Sequence, residues 1–337
     1  MPSSSGVLGP RIATGQCIAS RYVVREFISH GATSRVYACE DLDTGAHVAL
    51  KVVGRELDDG AGSFDFETSA YRCFHSPHLP SLRDVGTLPD GSRYMVLELV
   101  TGDRLDARLA RGPLAIAAVL ELGRQLTTAL FHAHRAGFLH CDVKPQNVLL
   151  EARPGGDVLV KLVDFGTCAP TGDNPFGREL NERQRSMVVG TPSYMAPERM
   201  RGEPVDVRAD VYAGALVIYQ ALTGRLPFCG TTIEQIMQAA QRDPIVPARV
   251  LRDNCPVELE RALSRALCKD PGFRYPSARM LADELDWIAQ KLAYVRGPSA
   301  WSSRASIPPA RDPQQEADTT RRVPSVPKMN AQSGKPG

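Results

Sequence analysis

Two textures divide the chain. Between Tyr22 and Val100, short β-branched runs recur at Tyr22–Ile28, Arg35–Cys39, His47–Val53 and Arg93–Leu97. The turn signals Asp43-Thr44-Gly45 and Pro89-Asp90-Gly91 separate them, which predicts an antiparallel sheet. One helical interval, Ser63 to Phe74, interrupts it. Beyond Val100 the apolar positions shift to helical spacing. Val119, Leu122, Leu126, Leu130 and Ala133 mark one long helix between Pro113 and Ala136. Further helices are read at about 208–223, 231–241, 256–268 and 277–293. The pattern predicts an α+β fold, a small β-rich part followed by a larger α-rich part, with a ligand cleft where they meet.

The ends lack this periodicity. Residues 1–20 read as a flexible Ser/Pro/Gly-containing leader, and 296–337 as a disordered tail. From Gly297 on, the tail holds seven prolines and eight Ser/Thr, with six basic and three acidic residues. Such a segment buries too little apolar surface to offset the entropy of ordering it. Its ordinary reading is a solvated end, and a docking or phosphoacceptor role comes second.

Composition narrows the class. Of 337 residues, 43% are hydrophobic and 23% charged, which excludes a wholly disordered, collagen-like or coiled-coil chain. Forty basic against 38 acidic side chains give a net charge of +2, too balanced to imply nucleic acid as a partner. No apolar run approaches the length of a membrane span, and Met1 to Gly15 has no signal-peptide core, so a cytoplasmic protein without a membrane segment is expected. The eight cysteines contain no C-x-x-C pair and read as reduced thiols. His75/His78 and His132/His134 lack the surrounding ligands of a zinc site.

The chemistry lies in three ordered segments. His140-Cys141-Asp142-Val143-Lys144-Pro145-Gln146-Asn147 follows the long helix and precedes an apolar triplet. Asp164-Phe165-Gly166 begins 17 residues after Asn147, and Ala196-Pro197-Glu198 begins 30 residues after Gly166. Alone, Asp142 and Asn147 would read as turn or capping residues. The order and spacing together say more.

On these residues the chain resembles the protein-kinase superfamily over about 22–293, specifically the eukaryotic-type Ser/Thr kinases of bacteria. The resemblance implies a bilobal fold, N-lobe 21–99 and C-lobe 100–295, that uses ATP and Mg²⁺ to phosphorylate Ser/Thr hydroxyls of protein substrates. It implies that Asp142 orients the hydroxyl and takes its proton, that Lys144 stands by the γ-phosphate, and that Asn147 and Asp164 hold metal. Lys51 in Val48-Ala49-Leu50-Lys51 would hold phosphates, with Val36 and Ala49 above the adenine and Leu149 below. Glu67 is the expected partner of Lys51, because Phe64, Glu67, Tyr71 and Phe74 fall on one helical face. Asp65 is the alternate. The separation of 16 between Lys51 and Glu67 suggests a tight connection over 54–62. Tyr94 to Val100 resembles the hinge between lobes, with Leu97 as gatekeeper, backbone groups of Glu98 and Val100 for adenine, and Asp103 near the ribose.

The sequence departs from the family twice. In the nucleotide loop after Ile28, Ser29, Gly31 and Ser34 occupy the glycine positions and only the middle one is Gly, so weaker nucleotide binding is expected. Cys141 stands where most kinases carry Arg. A thiol cannot pair with a phosphate, so activity should not depend on a phosphate read there.

The resemblance also makes Thr191, in Gly190-Thr191-Pro192, a partner of Asp142 and Lys144, and Thr171 and Ser186 sites of autophosphorylation that would need self-association. Arg178, Arg183 and Arg185 read as a solvated run before a regulatory patch. Glu198 is expected to pair with Arg274, Asp210 to tether the catalytic loop, and His140 to pack beneath Asp164-Phe165. The alternative is a kinase-shaped scaffold with weak turnover. Small-molecule phosphotransferases are disfavoured by Ala196-Pro197-Glu198 and Arg274.

Overall fold

The computed structural model describes residues 10–31, 34–54, 63–171, 191–228, 230 and 232–292. The β-rich part is a six-stranded antiparallel sheet and one helix. In chain order these are β1 (Cys17–Ile18), β2 (Tyr22–His30), β3 (Ser34–Asp41), β4 (His47–Val53), α1 (Ser63–Cys73), β5 (Leu82–Thr87) and β6 (Arg93–Glu98). The spatial order is β1-β2-β3-β4-β6-β5. Tyr22 on β2 donates to Asp84 on β5 at 2.8 Å across that order, so the sheet is strongly curled.

The strands alternate as a two-faced sheet must. Tyr37, Cys39, Val48, Leu50, Val52, Tyr94 and Val96 fill one core with Ile12 and Ile18. The opposite face carries Val36 paired with Lys51, and Ala38 paired with Ala49. Lys51 in turn pairs with Met95, and Ala49 with Leu97. That face is the roof over the helical part.

The expectation of a flexible leader over 1–20 needs correction from Pro10 onward. Ile12 and Ile18 are buried, Ile12 N–H donates to the Tyr37 hydroxyl at 3.1 Å, and β1 pairs with β2. The two isoleucines, seated in the sheet's core, and the backbone bonds of Gly15 and Gln16 with Val24 hold this edge.

The larger part follows as β7 (Asp103–Arg104), α2 (Leu105–Leu109), α3 (Ile116–Arg135), β8 (Phe138–Leu139), β9 (Val148–Ala152), β10 (Val158–Leu162), β11 (Ala169–Pro170), α4 (Pro197–Met200), α5 (Val207–Thr223), α6 (Ile233–Arg242), α7 (Ala248–Leu251), α8 (Val257–Ala266) and α9 (Ala278–Lys291). Helix α5 is apolar almost all round and runs through the middle of the core. Asp206 caps its start by accepting the Arg208 N–H at 2.8 Å. Helices α3, α5 and α9 meet at Gly123. A Cβ there would lie 2.8 Å from Leu285 Cδ1 and 3.1 Å from Ile218 Cδ1, so a larger residue would force these side chains to shift. The stretches 1–9, 55–62, 172–190 and 293–337 lie outside the described residues, and with them most of the expected 54–62 connection, Ser186, Arg178, Arg183, Arg185 and the tail.

Candidate active site

The β9–β10 hairpin brings the separated motifs together. Its ladder ends at Leu162 opposite Val148. The Val163 N–H then donates to the Asn147 carbonyl at 2.9 Å, extending the pairing by one residue. Asn147 and Asp164, 17 apart in sequence, therefore leave the hairpin side by side.

Asp142 is fixed by three neighbours. Lys144 Nζ donates to its Oδ2 at 2.5 Å, and the Thr191 N–H to its Oδ1 at 3.1 Å. Asn147 Nδ2 donates to its carbonyl at 2.9 Å and to Oδ2 at 3.3 Å. Lys144 also donates to the Thr191 hydroxyl at 3.0 Å. With its Nδ2 facing Asp142, Asn147 keeps its amide oxygen as a free-standing kind of ligand for a hard cation.

Above this group, Lys51 Nζ lies 2.6 Å from Glu67 Oε1 and 3.0 Å from Asp164 Oδ1. Phe64, Glu67 and Tyr71 are buried on the inward face of α1, and Phe74 is buried just past its end. Asp65, the alternate, instead pairs with Arg93 at the surface. Burial pulls the Lys51 ammonium down, but Asp164 and Glu67 outweigh it and leave Lys51 raised. Lys51 in turn holds the Asp164 carboxyl down at about 2, while burial pushes Glu67 up. One ammonium between two carboxylates leaves negative charge uncompensated. Asp164, whose side chain is 51% exposed, carries it at the open end. Gly166 makes this convergence fit, since a Cβ would sit 3.2 Å from Lys51 Nζ and 3.3 Å from Asp164 Oδ1.

Behind the carboxylates is a packed support. Asp164 adopts a left-handed φ of 66°. Phe165 is fully buried against His140 (ring centroids 4.5 Å), Phe74 (4.6 Å) and Tyr71 (5.6 Å). His140 Nε2 donates to the Val163 carbonyl at 3.0 Å, and its Nδ1 accepts the Asp142 N–H at 3.2 Å. Burial lowers the His140 pKa, which keeps the ring neutral for both roles. Asp210 accepts from the backbone N–H groups of His140 (2.8 Å) and Cys141 (2.9 Å) and from His134 Nε2 (2.8 Å). Burial alone would raise its pKa, and these donors hold it below the ordinary value. His134 had no visible role in the sequence. Its only signal was a polar residue in the last turn of α3.

The remaining expected positions fall as follows. Ile28 is exposed on β2, Ser29 pairs with Val36, and the Gly31 N–H donates to the Ser34 carbonyl at 2.9 Å. Leu149 is half-buried on β9. The Glu98 carboxylate pairs with Lys161. Its N–H donates to the Ser81 carbonyl at 2.9 Å. Val100 is half-buried just beyond β6. Asp103 is 63% exposed, near Arg111. Thr171 follows β11, with its N–H on the Gly137 carbonyl at 2.9 Å. Glu198 and Arg274 form a two-pronged pair at 2.7 and 2.8 Å, both nearly inaccessible. A residue that sequence reasoning missed is Arg199, whose Nη1 donates to the Cys141 carbonyl.

The chain belongs to one family: it matches the protein kinase domain over residues 22–285. It is similar to serine/threonine-protein kinase pkn3 of Myxococcus xanthus, 33% identical over 280 residues, covering 81% of this chain and 51% of that protein. Serine/threonine-protein kinase PknB of Mycolicibacterium smegmatis is 32% identical over 282 residues, covering 81% and 44%. PknL of Mycobacterium tuberculosis is 34% identical over 281 residues, covering 81% and 67%. The chain thus spans about half the length of the first two. Among the described residues, no helix is long and apolar enough to cross a membrane.

Proposed function

We propose that this chain is a serine/threonine protein kinase that moves the γ-phosphoryl group of ATP to Ser/Thr hydroxyls of proteins. The observation that carries the reading is the side-by-side exit of Asn147 and Asp164 from one hairpin, between Asp142 on one side and Lys51–Glu67 on the other.

The donor set fits Mg²⁺ held jointly with a nucleotide. Asn147 and Asp164 offer two oxygen-bearing side chains, and Mg²⁺ takes its remaining ligands from phosphates and water. When bound there, the metal neutralises charge on the phosphates. Lys51, kept charged by Glu67, holds the α- and β-phosphates. The cleft face with Val36 and Ala49 above, Leu149 below, and the Glu98 carbonyl and Val100 N–H at the rim receives the adenine. Ile28, Ser29, Gly31 and Ser34 cover the phosphates.

Asp142 orients the acceptor hydroxyl and takes its proton. The hydroxyl oxygen bonds to the γ-phosphorus as the bridge to the β-phosphate breaks, and ADP leaves with that electron pair. Lys144 places its charge beside the transferring group while Thr191 keeps it aligned with Asp142. Cys141 supplies no cation, so transfer does not require a phosphate read at that position.

The test is transfer of label from γ-labelled ATP with Mg²⁺ to casein, followed by phosphoamino-acid analysis. Wild type is expected to yield labelled Ser or Thr, with a Thr171→Ala/Ser186→Ala variant still active. Asp142→Asn should reduce transfer by roughly 10²–10⁴-fold, with Lys51→Met also strongly impaired. Equal, negligible transfer by all of these, with nucleotide still bound, would favour a scaffold instead.

A further inference from the structure

The peptide unit leading into Asp142 is held at both polar ends. Its carbonyl, from Cys141, accepts from Arg199 Nη1 on α4. Its N–H, from Asp142, donates to His140 Nδ1 at 3.2 Å. Cys141 itself sits at a left-handed φ of 67°, a conformation that a residue with a Cβ keeps only when its surroundings enforce it. One enforcing contact is Asp210, which accepts the Cys141 N–H at 2.9 Å. Arg199 is another, and the Ala169 backbone also bonds to the Cys141 side chain.

Arg199 can act as a fixed arm because its root is fixed. The preceding residue, Glu198, is clamped by Arg274 through two bonds, and both side chains are almost completely buried. Arg274 also donates to the carbonyls of Cys268, Arg208 and Lys269. Helix α4 therefore cannot slide without breaking this cluster. The guanidinium charge also reaches the Cys141 side chain, where it opposes the burial that pushes the thiol up.

We propose that Arg199 is a positioning residue: its charge-assisted bond to the Cys141 carbonyl sets the peptide plane from which the Asp142 carboxylate is presented to Lys144 and Thr191. The loop carries a thiol at 141, so the cation that steadies it comes from α4. The kinetic arm of this inference rests on the kinase reading above. The structural arm does not.

The experiment compares the full chain with Arg199→Ala and Arg199→Lys by backbone hydrogen exchange and by steady-state kinetics with casein. In the alanine variant, exchange over 139–147 should quicken while 47–53 and 93–98 stay as in wild type. Its kcat should fall on the order of tenfold or more, with the KM for ATP within about twofold. The lysine variant, which still offers a donor, should recover much of both. Should the alanine variant fail to fold, Arg199→Met keeps the stem, removes the donors and carries the same expectation. Unchanged exchange over 139–147 would overturn the proposal, as would a kcat within about twofold of wild type. If the wild type transfers no label, the kinase reading fails, and exchange alone decides the tether.

Discussion

Cys141 and Asp164, two residues with side chains in left-handed conformations, stand immediately before Asp142 and immediately before Phe165. Among the described residues other than glycine, Ala19 and Ser20, in the turn between β1 and β2, also have a positive φ, so the two site residues are half of that set. The thiols beside them are not poised for reaction. Burial pushes Cys141 up to about 12, and Cys168 well above its ordinary value. A raised thiol pKa means the neutral form persists at and above neutral pH, so little thiolate forms. At pH 8, alkylation mapped by mass spectrometry should mark the exposed Cys17 and Cys73 first and leave Cys141 and Cys168 nearly unmodified. Cys141 is partly exposed, so its protection comes from the raised pKa, and rapid labelling of Cys141 would contradict that shift. At this scale the sequence was most legible where residue type and spacing combine, as at Lys51, Asp142, Asn147 and Asp164. Arg199 and His134 stayed hidden for a physical reason. Arg199 meets a backbone carbonyl, which every residue has, and His134 meets Asp210 only through tertiary packing.

Among the elements, α4 depends most on a single interaction. Four residues cannot hold a helix by their own propensity, since nucleation alone is unfavourable. The Glu198–Arg274 pair supplies the missing constraint. Removing one partner strands the other as a buried charge, at a cost of about 3–5 kcal/mol. Glu198→Ala should therefore lower the unfolding free energy by about that amount in urea titration, and a change below about 1 kcal/mol would contradict the geometry. Strands β2, β3, β4 and β6 were readable as β-branched runs bounded by turn residues, as were the long helices to within a few residues. Strand β5, Leu-Arg-Asp-Val-Gly-Thr, was not, because charged residues and a glycine erase its alternation. Strand β1 was hidden by its length of two residues, and its attachment depends on Ile12 and Ile18 finding a core built by later strands.

For the whole molecule, the division into a sheet-rich and a helix-rich part was legible from the change of hydrophobic period alone. The cleft between them was legible only as an expectation, because periodicity does not say which face of a strand meets which helix. Strand pairing supplies that: Val36 and Ala49 share the face of Lys51, and the β9–β10 hairpin brings Asn147 and Asp164 beneath it. The proposed function divides the labour in that cleft, with Asp164 serving the metal-bound nucleotide and Asp142 serving the acceptor. Calorimetric titration with ATP, with and without Mg²⁺, tests it most directly on wild type, Asp142→Asn and Asp164→Asn. Mg²⁺ should tighten ATP binding to wild type and Asp142→Asn alike, and Asp164→Asn should lose this gain. An undiminished gain in Asp164→Asn, or its loss in Asp142→Asn alone, would contradict it.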